Sequence, residues 1–181
     1  MNQDATDDVV TVYRDVLKTY APENIGIYGC SAGGALTAYA AAAFIRQKLP
    51  LPGAIGIFCA SFRGFFAGDS GQLWPRFGSV IRTLPPADAT PQSDRLNPTD
   101  DELREFPPTL FLTGTRAMDM SGAVPSHLDL HRLGVHSELL LFDGMDHGFF
   151  LYGSKLPESH QAHEFIARFF KENLGKSGTN G

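Results

Sequence analysis

Short apolar runs alternate along the chain with longer segments whose apolar residues recur every three or four positions. The runs are typical of buried strands, and the spaced segments are typical of helices with one apolar face. The predicted strands lie at 24–29, 54–60, 109–114 and 137–142, and the predicted helices at 7–20, 32–47, 121–133 and 158–173. This alternation predicts an α/β fold with a parallel sheet covered by helices on both faces.

The segment at 62–107 has no clear hydrophobic period and separates the second and third predicted strands. It is rich in proline and aromatic residues, and more than about 40 residues without a strong element is long for a compact domain. We therefore expect an excursion with short helices that covers a site. The length of 181 residues predicts one domain over 1–181, with a disordered tail at 174–181.

Charge and composition argue against several classes of partner. The chain has 15 Lys and Arg against 20 Asp and Glu, a net charge of −5, and no basic run of five or more. This balance predicts no nucleic-acid partner and no binding to an anionic membrane.

The N-terminal segment lacks the basic start of a signal peptide, and no apolar run approaches the ~20 residues of a membrane span. Cys30 and Cys59 are too few for a disulfide framework and are expected to be reduced, so the sequence predicts a cytoplasmic protein.

A G-x-S-x-G motif, from Gly29 to Gly33, lies directly between the first predicted strand and the second predicted helix. This context is typical of a nucleophile elbow, in which the serine stands on a sharp strand-to-helix turn above the sheet. Glycines two positions before and after Ser31 leave room for the chain to pass close to its neighbours. Amides at the start of the following helix, Ala32 first, would point at a developing oxyanion. The motif therefore predicts Ser31 as a nucleophile.

A serine hydroxyl needs a base, and His147 is the candidate. It lies in a glycine-flanked loop after the fourth predicted strand, at the edge of a parallel sheet where reaction sites form. The base in turn needs a carboxylate that holds its tautomer. Asp119, in the loop after the third predicted strand, is preferred over Asp143 and Asp146, because Asp146 adjoins the histidine and Asp143 ends its strand.

Two other histidines, His127 and His131, have the i, i+4 spacing of a zinc pair. The glutamate of an H-E-x-x-H motif is absent, and no third ligand is evident nearby. A solvated helix face is therefore favoured over a metal site, and the sequence predicts no metal.

Three short segments carry a further signal: G-C-S-A-G-G at 29–34, P-P-T-L with G-T-R between 107 and 116, and G-M-D-H-G-F at 144–149. Together they resemble the hormone-sensitive-lipase-like family of α/β-hydrolases, which includes bacterial carboxylesterases. The resemblance extends from about residue 5 to residue 173. It implies a three-layer parallel sheet of the α/β-hydrolase type, Ser31 as nucleophile and His147 as base. It also implies carboxylic ester substrates and no metal or organic cofactor.

The chain departs from that family in two ways. In much of the family the acid directly follows the G-T-R-like segment, whereas this chain has Ala117 there and Asp119 two residues later. The family also carries an H-G-G-G-type oxyanion loop upstream, and none of the 30 residues before Ser31 reads H-G-G. The chain therefore resembles roughly the C-terminal half of the family's domain. Its first strand would become an apolar sheet edge, which predicts a homo-oligomer that pairs there.

The leading interpretation is a serine carboxylesterase that hydrolyses small acyl or aryl esters through an acyl-enzyme. Five residues are candidates for the lining of the substrate pocket: Cys30, Phe65, Phe66, Trp74 and Phe149. Ordinary packing is the alternative role for them, and the Cys30 thiol beside Ser31 is expected to turn into the packing. An amidase or peptidase with the same triad is a second interpretation. A non-catalytic interaction module, favoured by the missing H-G-G-G loop, is a third.

Overall fold

A parallel sheet of four strands forms the centre of the described structure. The structure, a computed structural model, describes residues 3–63, 68–71 and 96–176. In chain order the elements are helix α1 (Gln3–Val16), strand β1 (Gly26–Cys30), helix α2 (Ala32–Arg46), strand β2 (Ala54–Phe58), helix α3 (Asp100–Arg104), strand β3 (Thr109–Gly114), helix α4 (Met120–Arg132), strand β4 (Ser137–Phe142) and helix α5 (Pro157–Asn173), with 3₁₀ segments at Pro22–Asn24 and Phe149–Lys155.

The strands follow the order β1-β2-β3-β4, and every neighbouring pair is parallel. All residues of β2 and β3 are buried, as expected for central strands covered on both faces. Because the strands are parallel, their carboxyl ends lie at one edge of the sheet. The loops that follow β1, β3 and β4 therefore start close together, which positions the candidate site.

Helices cover both faces of the sheet, so the molecule has three layers. Ile55, Ile57 and Phe111 belong to a buried cluster that includes residues of α2 and α4. On the opposite face, Phe58 packs in a cluster with Phe169 of α5. Successive strand residues point to opposite faces, which is why the continuous apolar runs supply both clusters. The predicted α/β fold with a three-layer parallel sheet is confirmed.

Helix α1 packs mainly against α2. Its contact centres on Tyr13, whose ring stacks on that of Phe44 with 4.1 Å between the ring centroids. Burial raises the pKa of Tyr13 to about 12, and its hydroxyl donates a hydrogen bond to the carbonyl of Pro50 at 2.9 Å. The helix covers residues 3–16 rather than the predicted 7–20, and Leu17 continues its apolar stripe from the following turn.

The start of α4 lies one residue before the predicted start at Ser121. The helix begins at Met120, and Asp119 occupies the N-cap position without a side-chain capping bond. The Asp119 carboxylate is directed instead to the residues of the candidate site. Among the described residues, no helix combines the length and the apolar character that a membrane span requires.

Candidate active site

Ser31 stands on a strained turn between β1 and α2. Its backbone has φ +60° and ψ −123°, a conformation that costs a non-glycine residue about 1–3 kcal/mol and persists only where the surroundings impose it. Hydrogen bonds of the Ser31 backbone hold this conformation in place. The Ser31 amide donates to the carbonyl of Phe58 at 2.9 Å, and the Ser31 carbonyl accepts from the amides of Gly34 and Ala35 at 3.0 and 3.2 Å. The turn is thus fixed to β2 on one side and to α2 on the other.

Close packing at this turn requires two glycines, but only one of them belongs to the predicted pair. A Cβ on Gly29 would lie 2.3 Å from the carbonyl carbon of Gly33, and a Cβ on Gly34 would lie 2.6 Å from the carbonyl oxygen of Phe58. A Cβ on Gly33 would meet no atom within 4 Å. The expectation that both glycines of the motif provide room is therefore right for Gly29 and wrong for Gly33, because the backbone of α2 approaches β2 at Gly34.

His147 connects the serine to a carboxylate. Its Nε2 lies 3.0 Å from Ser31 Oγ, and its Nδ1 lies 2.7 Å from Asp119 Oδ1. A carboxylate only accepts hydrogen bonds, so Nδ1 carries a proton and Nε2 is left to accept the Ser31 hydroxyl proton. The structure thus brings together three residues that are far apart in the chain, in an arrangement that can move a proton from hydroxyl to imidazole.

Asp119 is fully buried, and its second carboxylate oxygen is also occupied. Oδ2 accepts a hydrogen bond of 2.7 Å from the hydroxyl of Thr113, the fifth residue of β3. The rival carboxylates lie elsewhere: Asp143 accepts a bond of 3.1 Å from the Thr115 hydroxyl, and Asp146 is exposed. The structure therefore places Asp119, of the three candidates, against the imidazole.

The loop that carries Asp119 and the loop that carries His147 are bonded to each other. The Thr115 hydroxyl accepts a hydrogen bond of 2.7 Å from the amide of Gly144, and the Arg116 amide donates to the carbonyl of Met145 at 3.0 Å. The approach is so close at Gly114 that a Cβ there would lie 2.1 Å from the Met145 carbonyl oxygen. The two loops therefore position imidazole and carboxylate as one unit.

A second support, from the segment at 62–107, was not predicted from the sequence. The Ser70 hydroxyl accepts from the amide of Ser121 at 2.8 Å and donates to the carbonyl of Met118 at 2.9 Å, while the Ser121 hydroxyl accepts from the amide of Ser70 at 3.0 Å. Met118 and Ser121 lie within two residues of Asp119 in the chain. The hydrogen bonds of Ser70 and Ser121 therefore hold the loop of Asp119 against the segment at 62–107. Two isolated serines 51 positions apart give no sequence signal.

Oxyanion stabilisation was expected from Ala32, which is the first residue of α2. The amides of a helix's first turn have no intrahelical acceptor, so the amide of Ala32 is available to a ligand at this end of the helix. Ala32 is exposed and follows Ser31 directly. Its role as an oxyanion donor stays a prediction.

The predicted pocket residues fall into three groups. Phe65, Phe66 and Trp74 lie outside the described residues. Phe149 is buried in the core, where its ring lies 4.9 Å from that of Phe142. Cys30 is half-buried beside Ser31. A contact between any of these side chains and a substrate stays a prediction.

One group of potential metal ligands lies within the described residues at this site. Cys59 Sγ, a carboxylate oxygen of Asp119 and a ring nitrogen of His147 lie within 4.8 Å of one another. The imidazole and the carboxylate already bond to each other, and Cys59 Sγ accepts a bond of 3.2 Å from the amide of Gly148. A hydrogen bond to Cys30 and burial both raise the pKa of the Cys59 thiol, which disfavours the thiolate that metals bind. The donors therefore fit an internal hydrogen-bonded network better than a metal site.

The histidine pair on α4 is engaged within the protein as well. His127 Nδ1 lies 2.9 Å from the hydroxyl of Ser137, and the His127 ring stacks on His131 with 6.4 Å between centroids. Burial and the neighbouring His131 lower the pKa of His127.

A serine on a strained strand-to-helix turn, bonded through histidine to a buried aspartate above a parallel sheet, is the arrangement that defines the α/β-hydrolase class. Residues 3–151 match the family described as the alpha/beta hydrolase fold. The chain belongs to that family. No curated protein matches the sequence.

Solved structures with the same fold include three esterases. An esterase from the bacterial hormone-sensitive lipase (HSL) family superposes with a TM-score of 0.80 at 26% identity, over 94% of this chain and 60% of its own. Esterase E25 gives a TM-score of 0.75 at 27% identity, over 93% of this chain and 55% of its own. An esterase/lipase from an uncultured bacterium gives a TM-score of 0.77 at 24% identity, over 93% of this chain and 59% of its own. At this identity the similarity shows the fold alone. The chain therefore spans 55 to 60% of the length of these relatives.

Proposed function

We propose that this protein is a serine carboxylesterase that hydrolyses small acyl or aryl esters through an acyl-enzyme on Ser31. The observation that carries the proposal is the hydrogen-bonded series Ser31 Oγ to His147 Nε2 at 3.0 Å and His147 Nδ1 to Asp119 Oδ1 at 2.7 Å. Similarity to solved esterases supports the ester as the substrate class. The triad itself does not select the ester over the amide.

The proposed reaction begins with Ser31 Oγ attacking the ester carbonyl while His147 Nε2 takes its proton. The buried Asp119 carboxylate holds the imidazole in the correct tautomer and stabilises the imidazolium that forms. The amide of Ala32 donates to the developing oxyanion. His147 then gives its proton to the leaving alkoxide, and a water activated by the same histidine releases the acid from Ser31.

The test compares hydrolysis of p-nitrophenyl acetate and butyrate by the parent chain and by Ser31→Ala. We expect turnover by the parent and a loss of about 10⁴-fold or more in the variant, because the nucleophile, base and acid act as a unit. Ser137→Ala is the matched control, since Ser137 begins β4 at the opposite end of the strand from the site. This control should hydrolyse both esters like the parent.

Two further measurements separate this proposal from its alternatives. A fluorophosphonate probe should label the parent at Ser31 and leave Ser31→Ala unlabelled, because labelling requires an activated hydroxyl. Neither labelling nor turnover by the parent would instead support a non-catalytic module. Faster hydrolysis of p-nitroanilides than of matched esters would support the amidase or peptidase.

A further inference from the structure

The two cysteines of the chain lie side by side at the carboxyl ends of neighbouring strands. Cys30 is the last residue of β1 and pairs with Phe58 across the parallel ladder, while Cys59 directly follows Phe58. The ladder continues past this point, because the Ser31 amide bonds to the Phe58 carbonyl. Cys59 leaves the extended conformation, with φ +48°, and Cys30 packs against the cluster that contains it. Since neighbouring strands lie about 4.8 Å apart and one residue rises about 3.3 Å, the two Cα atoms are separated by roughly 5.8 Å. A disulfide spans separations of this size.

The two thiols lie in one buried cluster, in which Cys30 packs against a group that includes Cys59, and they differ in environment. Hydrogen bonding with the Cys59 thiol lowers the pKa of the half-buried Cys30, with a smaller contribution from His147, while burial opposes the shift. Hydrogen bonding with Cys30 and burial both raise the pKa of the fully buried Cys59. Cys30 is therefore the thiol that an oxidant reaches and the better nucleophile, because the thiolate is the reactive form. Cys59 is placed to resolve the product.

We propose that Cys30 and Cys59 form a redox site, which hydroperoxides convert to an intramolecular disulfide and thiol reductants restore. The sulfur of Cys30 attacks the O–O bond, becomes a sulfenic acid and releases water or an alcohol. The Cys59 sulfur then displaces the hydroxyl group, which leaves as water with the thiol proton. The two thiols together lose two electrons and two protons, and the peroxide is reduced by the same two electrons.

The disulfide would alter the candidate active site through Cys59. Its sulfur accepts the hydrogen bond of the Gly148 amide and lies within 4.8 Å of a ring nitrogen of His147 and a carboxylate oxygen of Asp119. Bonding to Cys30 draws this sulfur towards β1 and away from the His147 loop. A base displaced by about 1 Å costs about 10²-fold in rate. This effect on hydrolysis rests on the proposed function, whereas formation of the disulfide does not.

The experiment exposes the parent chain to hydrogen peroxide, blocks remaining thiols by alkylation and digests the protein with trypsin under non-reducing conditions. Cleavage releases Cys30 in peptide 19–46 and Cys59 in peptide 49–63. We expect these peptides as one linked species, two hydrogens lighter than their sum, which dithiothreitol separates. Cys30→Ser and Cys59→Ser should each give unlinked peptides, and the intact oxidised parent should keep its monomer mass on a non-reducing gel.

Other products would overturn the proposal. They are both peptides alkylated as free thiols, sulfinic or sulfonic acid on Cys30 without linkage, or a linkage between two chains. Hydrolysis of p-nitrophenyl butyrate is measured on the same samples, with an expected fall of about 10²-fold on oxidation and recovery with dithiothreitol. Full activity of the linked form would overturn the coupling to the site. A reduced parent without activity would contradict the proposed function and leave the peptide result intact.

Discussion

At the scale of single residues, the environment of Asp119 explains how this chain supplies a carboxylate at an unusual position. The family resemblance places the acid at residue 117, where this chain has a fully buried alanine. Two residues later, at the N-cap position of α4, the Asp119 side chain reaches the imidazole instead. Its other oxygen is held by Thr113, which lies inside β3 and so has little freedom to move. Thr113 is therefore a positioning residue for the proposed triad.

Thr113→Val should lower kcat by about 10- to 100-fold with little change in KM. The substitution removes a hydrogen bond to a charged group, worth about 1.5–3 kcal/mol, and leaves one oxygen of the buried Asp119 without that donor. Thr109→Val is the control, because this buried threonine on the same strand donates instead to the Pro107 carbonyl. Rescue of kcat by Thr113→Ser would show that the hydroxyl matters, and equal losses in both valine variants would contradict the positioning role.

At the scale of elements, α3 shows how a very short helix is held in the segment between β2 and β3. Its five residues are too few for an isolated helix. A capping box joins Thr99 and Glu102, and the Glu102 carboxylate also accepts two hydrogen bonds from Arg46 of α2. Partial burial of Glu102 opposes its ionisation, but the bonds from Arg46 and Thr99 outweigh it and hold the pKa of this carboxyl below its usual range.

Glu102→Gln should lower the free energy of unfolding at pH 7 by up to about 1 kcal/mol, the range of ion pairs that water reaches. Because the folded pKa is depressed, the stabilisation by Glu102 is present above the unfolded value of about 4.3 and is lost as the pH falls through the folded value. Urea titrations of parent and variant should therefore converge in strong acid. Asp101→Asn, an exposed carboxylate of the same helix, is the control. A difference that persists unchanged in acid would contradict the ionic origin.

At the scale of the whole molecule, β1 lies at one end of the described sheet although the turn of the proposed nucleophile follows it. Tyr28 is 65% exposed on this strand, despite ring contacts with Phe58 and Phe170. Unpaired backbone groups along an edge strand are a template for pairing with another chain. Self-association of two copies through β1 therefore stays our prediction for this protein.

Light scattering after size-exclusion chromatography at micromolar concentration should give at least the mass of a dimer. Tyr28→Lys should shift the protein towards the monomer, because a charged side chain on an edge strand disfavours pairing. Val12→Lys is the control, since Val12 is a similarly exposed apolar residue on α1. A parent that is monomeric throughout would contradict the prediction.

The order of strands and helices, and the position of the candidate nucleophile turn, were set by the sequence alone. Apolar periodicity is a local property, so the eight predicted elements are found, with boundaries displaced by up to four residues, as at α1. The G-x-S-x-G turn is equally local, because a strand, a sharp turn and a helix follow one another directly. The glycine-flanked loop of His147 after β4 was visible for the same reason.

Only the tertiary structure decided which side chains meet. Ser31 and His147 are 116 positions apart, and parallel crossovers bring them within 3.0 Å at one edge of the sheet. The choice of Asp119, its hydrogen bond from Thr113 and the placement of Cys30 and Cys59 in one cluster depend on strand register and loop packing. Strand register and loop packing leave no local period or spacing in the sequence. A sequence reveals what one segment does by itself, whereas the distance between two segments is fixed by the packing of all the elements between them.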